Sequence, residues 1–183
     1  MRKKKLCIHK KIKNVAKIVI ICQKQQTIVS RRKTMEEKEK ITKYLNAIYQ
    51  NTRTAIQSIE DIIDKSVDND LVSELSKEQD EYNCLAKECE NFAKAEKIEG
   101  LKDNNWIEKA KLWTSVNVGT MMDKSTRNIA ELVLIGTFMG IITCIKDKED
   151  HKNTSEELDE IMDKLYEFER KNIDRLLPYL KNN

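Results

Sequence analysis

Four acidic residues are the candidates for metal chemistry in this chain: Glu78, Asp123, Glu131 and Glu169. Each lies at or near the inner stripe of a segment with helical periodicity, so their carboxylates would converge inside a helical bundle. Sites built from oxygen ligands alone suit manganese, magnesium or calcium rather than a pair of redox-active irons. The four residues therefore predict, at most, a carboxylate-only site for a divalent metal.

The histidines limit this chemistry further. Di-iron bundles take a Glu from each of two helices and a Glu-x-x-His motif from each of two others. The chain has only His9, in a basic tail, and His151, in a predicted loop, and neither follows a Glu at that spacing. A glycine-rich phosphate loop and a nucleophile elbow are also missing from the sequence. We therefore expect no catalytic residue and no cofactor.

Glu131 and Glu78 each have a structural interpretation beside the metal one. Glu131 is the one charge between Ile129 and Ile145, and an ion pair with Arg127, one turn earlier, or with a lysine of another helix would offset its burial. Glu78 falls close to an apolar stripe, and at the edge of that stripe its long side chain would reach water. For both residues the structural interpretation is the first choice.

Trp106 and Trp113 are seven residues apart and therefore share one face of a helix. Core packing explains this pair, and a dimer or partner surface is the alternative. The two tryptophans are accordingly the candidates for an interaction site.

Four helical segments must position all of these residues. Apolar side chains recur at spacings of three and four, as in helices that pack against one another. The predicted segments cover residues 36–66, 70–98, 105–148 and 155–181. Because the connections after the first and third segments are short, we predict an all-α, antiparallel four-helix bundle. The third segment is longer than its partners, so we expect it to break or bend near residues 117–123, around Gly119.

The most apolar stretch runs from Ile129 to Ile145, 17 residues with a single charge. A helix that is apolar nearly all round has to be surrounded, so we expect it at the centre of the bundle. Gly136 and Gly140, four residues apart, would let neighbouring backbones approach. A membrane span needs about 20 apolar residues, so a span is not expected here.

Charge divides the chain near Thr34. Residues 1–34 hold 12 of the 34 Lys and Arg and no acid, which leaves a net charge of −9 for residues 35–183. We interpret the first part as a disordered extension upstream of a true start at Met35; a basic arm for an anionic membrane or nucleic acid is the alternative. The acidic second part forms the bundle domain and disfavours nucleic acid.

Cysteine usage indicates the compartment. The five cysteines form no Cys-x-x-Cys pair, and their odd number indicates reduced thiols in a cytoplasmic protein. Cys89 and Cys144 fall on apolar helix faces, where we expect small buried thiols.

The stretches DKSTRNIAELVLIGTFMGII (123–142) and FERKNIDRLLPYL (168–180) resemble a group of small bacterial proteins of unknown function, which look like divergent ferritin-like four-helix bundles. The resemblance covers about Ile41 to Leu180 and implies the bundle fold without an activity. In that group a histidine often precedes Ile-Ala-Glu, where this chain has Asn128.

Three functions follow as hypotheses. The first is a non-catalytic bundle that acts as a structural or interaction module, with a homodimer or another protein as partner. The second is a ferritin-like protein with a carboxylate-only metal site. The third is a peripheral membrane protein attached through its basic N-terminus, which is the least expected of the three.

Overall fold

The computed structural model describes residues 34–101 and 124–181. These residues contain four α-helices and no strand, which confirms the all-α prediction for the part described. The helices are α1 (residues 34–63), α2 (Asn69–Ala95), α3 (Thr126–Asp150) and α4 (Glu156–Leu176), and a 3-10 helix (Leu177–Lys181) follows. The chain divides between Lys40 and Ile41 into two compact units, and the core described below belongs to the second. The predicted bend at residues 117–123 and most of the basic extension lie outside the described residues.

Side-chain caps set where the helices begin. Asp68 accepts hydrogen bonds from the backbone N–H groups of Asp70 (3.0 Å) and Leu71 (3.1 Å), which would otherwise lack partners in the first turn of α2. Ser125 caps α3 and Ser155 caps α4 in the same way.

The predicted stripes of α2 and α4 form much of the core. On α2 every stripe position is buried, and on α4 the long apolar side chains of Leu158, Leu165 and Leu176 are fully covered. Pro178 is the second residue of the 3-10 helix, and the last turn departs from α-helical geometry there because proline does not fit an α-helix interior. Cys89 and Cys144 are buried, as predicted.

Polar contacts fix how the helices pair. The Tyr44 hydroxyl on α1 donates to Asp159 Oδ1 at the start of α4 (2.8 Å). The Thr126 hydroxyl at the start of α3 donates to Asp68 Oδ2, before α2 (3.1 Å), so these two helices begin side by side. Lys164 Nζ on α4 donates to the carboxylate of Glu88 on α2 (2.7 Å).

The α3 helix has two different faces, which corrects the expectation that it would be surrounded. Its buried face consists of Ile129, Ala130, Leu134, Thr137, Gly140 and Cys144. Its opposite face leaves five large hydrophobic side chains 44–55% exposed: Ile135, Phe138, Met139, Ile142 and Ile145. We call these five residues the α3 stripe. A helix apolar on both sides shows little periodicity, so the sequence did not separate a packed face from an open one.

By length and composition alone α3 could cross a membrane. It has 25 residues, its most apolar 18-residue window has a mean hydropathy of 1.9, and a third of that window is buried inside the molecule. The helix is longer than the apolar stretch, because it continues past Ile145 through five charged residues to Asp150. Core helices of water-soluble bundles pass the same test.

Candidate functional site

Two carboxyl groups lie inside the bundle. Glu78 on α2 and Glu169 on α4 are each only 1% exposed, and they are close enough for the charge of Glu78 to raise the pKa of Glu169. Both occupy positions on the inner stripes of their helices, so the same periodicity that buries Leu75 and Leu165 also buries these acids. A buried carboxyl group costs free energy unless it is paired or protonated, which makes this pair the most unusual chemistry in the described core.

Tyr82 and Asn172 complete the cluster. Tyr82 lies one turn after Glu78, is buried, and its hydroxyl hydrogen-bonds the Glu169 carboxyl. Asn172 lies three residues after Glu169 and has no exposed surface; its Oδ1 accepts a hydrogen bond from Arg175 Nη1 at 3.3 Å. We refer to Glu78, Tyr82, Glu169 and Asn172 as the carboxyl cluster.

Burial changes the protonation of this cluster. Desolvation raises the pKa of Glu78 to about 8, with a further increase from the nearby charge of Glu74 and an opposing effect of Arg175. Desolvation likewise raises the pKa of Glu169 to about 8, and only the Tyr82 hydrogen bond acts against it. Because the two groups interact, their protons leave as a coupled pair near neutral pH. The cluster therefore carries labile protons at the pH where most carboxylates are fully ionised.

Several polar atoms of the cluster have no hydrogen-bond partner. Four such buried side-chain atoms occur in the described residues, and three of them belong to this cluster: Glu78 Oε1, Glu169 Oε2 and Asn172 Nδ2. An unsatisfied buried polar atom costs about 1–3 kcal/mol, and native cores contain few of them. Their concentration at one place makes the carboxyl cluster the candidate functional site of the described core.

Gly140 provides the space for Glu169. A Cβ atom built on Gly140 would lie 2.5 Å from Glu169 Oε1 and 2.8 Å from its Cδ, much closer than carbon and oxygen atoms can approach. The carboxyl group of α4 therefore lies directly against the backbone of α3. Any residue larger than glycine at this position must therefore displace the carboxyl group at the end of the Glu169 side chain.

The cluster borders a cleft of about 580 Å³ between α1 and α3. Glu78 and Tyr82 reach it from α2 and Glu169 reaches it from α4, while the walls are mainly apolar or small side chains of α1 and α3. Asn51 on α1 ties the two walls together, since its Nδ2 donates to the Gly140 carbonyl oxygen at 3.3 Å and lies 3.3 Å from Cys144 Sγ. The described helices thus hold two acidic groups beside a cavity of small-molecule size.

The predicted metal ligands are only partly brought together. Glu78 and Glu169 lie close together. The interpretation that the side chain of Glu78 reaches water is wrong, because Glu78 is 1% exposed and its position faces α4. Glu131 is exposed on the side of the α3 stripe and forms no ion pair with Arg127, so it needs no buried partner. Asp123, Trp106 and Trp113 lie outside the described residues.

The described residues form an incomplete metal site. In residues 34–101 and 124–181, no three His, Cys, Asp or Glu side chains lie close enough to share an ion. Two carboxyl groups with a phenol and an amide supply fewer oxygens than the six to eight ligands that calcium takes. The chemistry that this donor set fits best is hydrogen bonding or pairing with a single positive charge.

Sequence reasoning did not assign Tyr82, Asn172 and Gly140 to the site, although signals for them were present. Tyr82 and Asn172 both fall on predicted inner stripes, one turn after an acid. Two polar residues one turn apart on the same inner stripe are the pattern that could have identified the cluster. Nothing in the sequence pairs Gly140 with Glu169, because the two lie on different helices.

Comparisons with protein-family models, curated proteins and solved structures found no match to this chain. The resemblance to ferritin-like bundles therefore stays a prediction from the sequence. Inferences about function rest on the carboxyl cluster, the cleft and the α3 stripe.

Replacing Glu78 and Glu169 together by Gln is expected to flatten the pH dependence of stability. Their pKa is about 8 in the folded chain and about 4.5 ordinarily, so between these values the folded state binds more protons and the free energy of unfolding falls as pH rises. Gln does not titrate. Between about pH 5 and pH 8 the free energy of unfolding should therefore fall by roughly 1–3 kcal/mol less in the variant than in the wild type. Urea unfolding at several pH values measures this difference.

The control for this experiment replaces Glu81 and Glu160, which are exposed on the same two helices, by Gln. The control removes two carboxyls of the same helices and should follow the wild-type profile. If the variant of the carboxyl cluster also follows that profile, the two buried groups do not titrate near pH 8.

A Gly140→Ala substitution is expected to have opposite effects in two backgrounds. In the wild type the new methyl group collides with the Glu169 carboxyl, which outweighs the helix-propensity gain of about 1 kcal/mol. In a Glu169→Ala background the collision is absent, so the same change should stabilise the chain by about 0.5–1 kcal/mol. A double-mutant cycle by urea unfolding gives the coupling, and additive effects would contradict the contact.

Proposed function

We propose that this chain is a non-catalytic interaction module that forms a homodimer through the α3 stripe. The observation that supports this function is the exposure of five large hydrophobic residues on one face of α3, while the opposite face packs in the core. Successive members of the α3 stripe are one or three residues apart, so they form a continuous seam of the kind by which helices pair. Contiguous apolar seams of this kind mark interaction surfaces.

The stripe is complementary to itself when a second copy runs antiparallel. About a two-fold axis between Phe138 and Met139, Ile135 of one chain lies opposite Ile142 of the other, and Phe138 lies opposite Met139. Every apolar position near the axis then has an apolar partner. The α3 helix of each copy therefore supplies one half of the interface.

The charges that flank the stripe follow the same symmetry. Glu131 lies opposite Lys146 of the second copy, and Arg127 lies opposite Asp150. All four side chains are exposed, and each pair joins opposite charges. Opposite charges at both ends favour the antiparallel register, because a parallel pair would place Glu131 beside Glu131 and Lys146 beside Lys146.

The expected dimer is weak. The α3 stripe is already about half covered, so burial of ten such side chains gains about 1 kcal/mol each, or about 10 kcal/mol. Lost translational and rotational freedom costs about 4–15 kcal/mol, which leaves little surplus. Measurements therefore need chain concentrations from about ten micromolar to about one millimolar.

A membrane is the main rival for this face. We favour a second copy because α3 is joined on its other side to α1 and α4, and because charged residues occupy its ends on the exposed side. Insertion would have to place Glu131 in the hydrocarbon layer without a partner. Attachment through the basic N-terminus concerns residues outside the described part.

We also propose that the bundle is antiparallel and ferritin-like in its connections. The Thr126 contact with Asp68 supports this, since α2 and α3 begin at the same end and therefore run in the same direction. The Tyr44 hydroxyl bond to Asp159 joins α1 at Tyr44 to the start of α4. Two short connections with one long crossover between the second and third helices are typical of ferritin-like folds.

Replacing Phe138 by Glu is expected to abolish self-association. The substitution puts two carboxylates next to the axis of the dimer, where each faces Met139 of the other copy, so the dimer should weaken at least tenfold. Sedimentation equilibrium of the full chain measures the association constant. Val67→Glu is the matched control, because Val67 is 82% exposed outside α3. A wild-type chain that stays monomeric up to about one millimolar would rule out the dimer.

Exchanging the flanking charges tests the register. Glu131→Lys alone places like charges together at both ends, so we expect association to weaken about tenfold. Adding Lys146→Glu to the same chain restores opposite charges and should recover most of the affinity. Glu160→Lys on α4 makes the same change in net charge away from α3 and serves as the control. If the double variant is as weak as the single one, the two positions do not face each other.

A further inference from the structure

We propose that the cleft between α1 and α3 binds a small organic cation, a protonated amine that carries an apolar group, with Glu169 and Glu78 as its counter-charges. This site rests on the carboxyl cluster and not on the exposed stripe, of whose five residues Met139 alone also lines the cleft. No part of the interaction function requires it.

The charge of the lining selects a cation. Three acidic residues line the cleft, Glu78, Asp147 and Glu169, whereas its described lining contains no Lys, Arg or His. Among residues 34–101 and 124–181, Arg175 is the one basic group that acts on the cluster; it lowers the pKa of Glu78 and lies 3.6 Å from Glu74. No basic residue of the same described ranges acts on Glu169. A ligand with one positive charge would supply the partner that these residues do not.

The unpartnered atoms point to a bound group. Glu169 lines the cleft, is 1% exposed, and its Oε2 accepts no hydrogen bond from any described residue. Glu78 Oε1, on α2, is likewise buried and has no hydrogen-bond partner among the described residues. An ammonium group has up to three N–H donors, which is enough to serve both oxygens and the carbonyl or hydroxyl groups nearby.

The size and the walls of the cleft favour an organic cation over a metal ion. Its volume of about 580 Å³ lies within the range of small-molecule sites and far exceeds that of an ion. Ile59 and Ile62 on α1, with Leu132 and Val133 on α3, form apolar walls beside the acids. The apolar group of the ligand would cover these side chains while its charged end reaches Glu169.

Protonation couples binding to pH. Glu169 faces Glu78 and Tyr82 from α2, Cys144 and Asp147 from α3, and Asn51 from α1; the two thiol and phenol groups have a raised pKa and stay neutral. Burial also raises the pKa of Asp147, which lines the same cleft, so a cation displaces protons from the carboxyl pair and from any fraction of Asp147 that is protonated. The carboxyl groups have a pKa of about 8, so the affinity for the cation should increase as the pH rises towards this value. The increase should reach up to about tenfold per pH unit for each proton released.

The test uses hexylamine, protonated throughout, as the probe, with hexanol as its neutral analogue and Mn²⁺ as a metal ion. Calorimetry of the full chain at about pH 6, 7 and 8, in two buffers of different ionisation enthalpy, gives affinity and protons released. We expect hexylamine to bind at least tenfold more tightly than hexanol and to release about one proton near pH 7.

The variants separate the site from the rest of the chain. Glu169→Gln should weaken hexylamine at least tenfold and remove the proton release, while Glu160→Gln on the exposed face of α4 should bind like the wild type. Phe138→Glu should also bind like the wild type, so that loss of the dimer and loss of the site are distinguishable. Circular dichroism confirms that each variant is folded.

Three results would overturn the inference. Equal binding of hexylamine and hexanol would leave an apolar cleft without charge selection. Binding of Mn²⁺ that Glu169→Gln abolishes, with no binding of hexylamine, would make the cluster a metal site. Failure of hexylamine to bind at about ten millimolar at pH 8 would leave the cleft without this ligand class.

Discussion

Burial of two carboxyl groups in the middle of a helical bundle is the constraint on which the rest of the described structure depends. Desolvating a charged carboxylate is costly, and the chain meets this cost in three ways. Both groups hold their protons to unusually high pH, Tyr82 hydrogen-bonds one of them, and α3 presents a glycine where that group lies. The spacing between α3 and α4 is thereby set by a polar side chain, where most bundles set it by leucines.

The same constraint explains why α3 differs from its neighbours. A helix that packs a glycine and small residues against a carboxyl group buries few large side chains on that face. Its large apolar residues are on the opposite face, where the described part of the chain leaves them open. The cleft and the exposed stripe are therefore two results of one arrangement, in which the inner face of α3 accommodates polar chemistry.

Sequence patterns predicted the helices better than they predicted the site. The stripes of α2 and α4 could be read residue by residue, because polar and apolar positions alternate clearly and each helix begins at a capping residue. The α3 helix gave no such contrast, so its packed face could not be identified and Glu131 was given a buried environment that it does not have. Glu78 was misjudged for another reason: whether a residue at the edge of a stripe meets water depends on the neighbouring helix, here α4, and no local pattern contains that information.

Asp68 has a role that extends beyond the cap it forms. The aligned peptide dipoles of a helix place about half a positive charge at its N-terminus, and Asp68 lies at the N-termini of both α2 and α3. Its hydrogen bonds, from Leu71 first and from Thr126, hold the pKa of this carboxyl below its ordinary value. One carboxylate thus balances two helix dipoles whose sequences are more than fifty residues apart. An asparagine could keep the cap of α2, but it would leave the N-termini of two helices repelling each other, so the position at which α3 begins is linked electrostatically to the N-cap residue of α2.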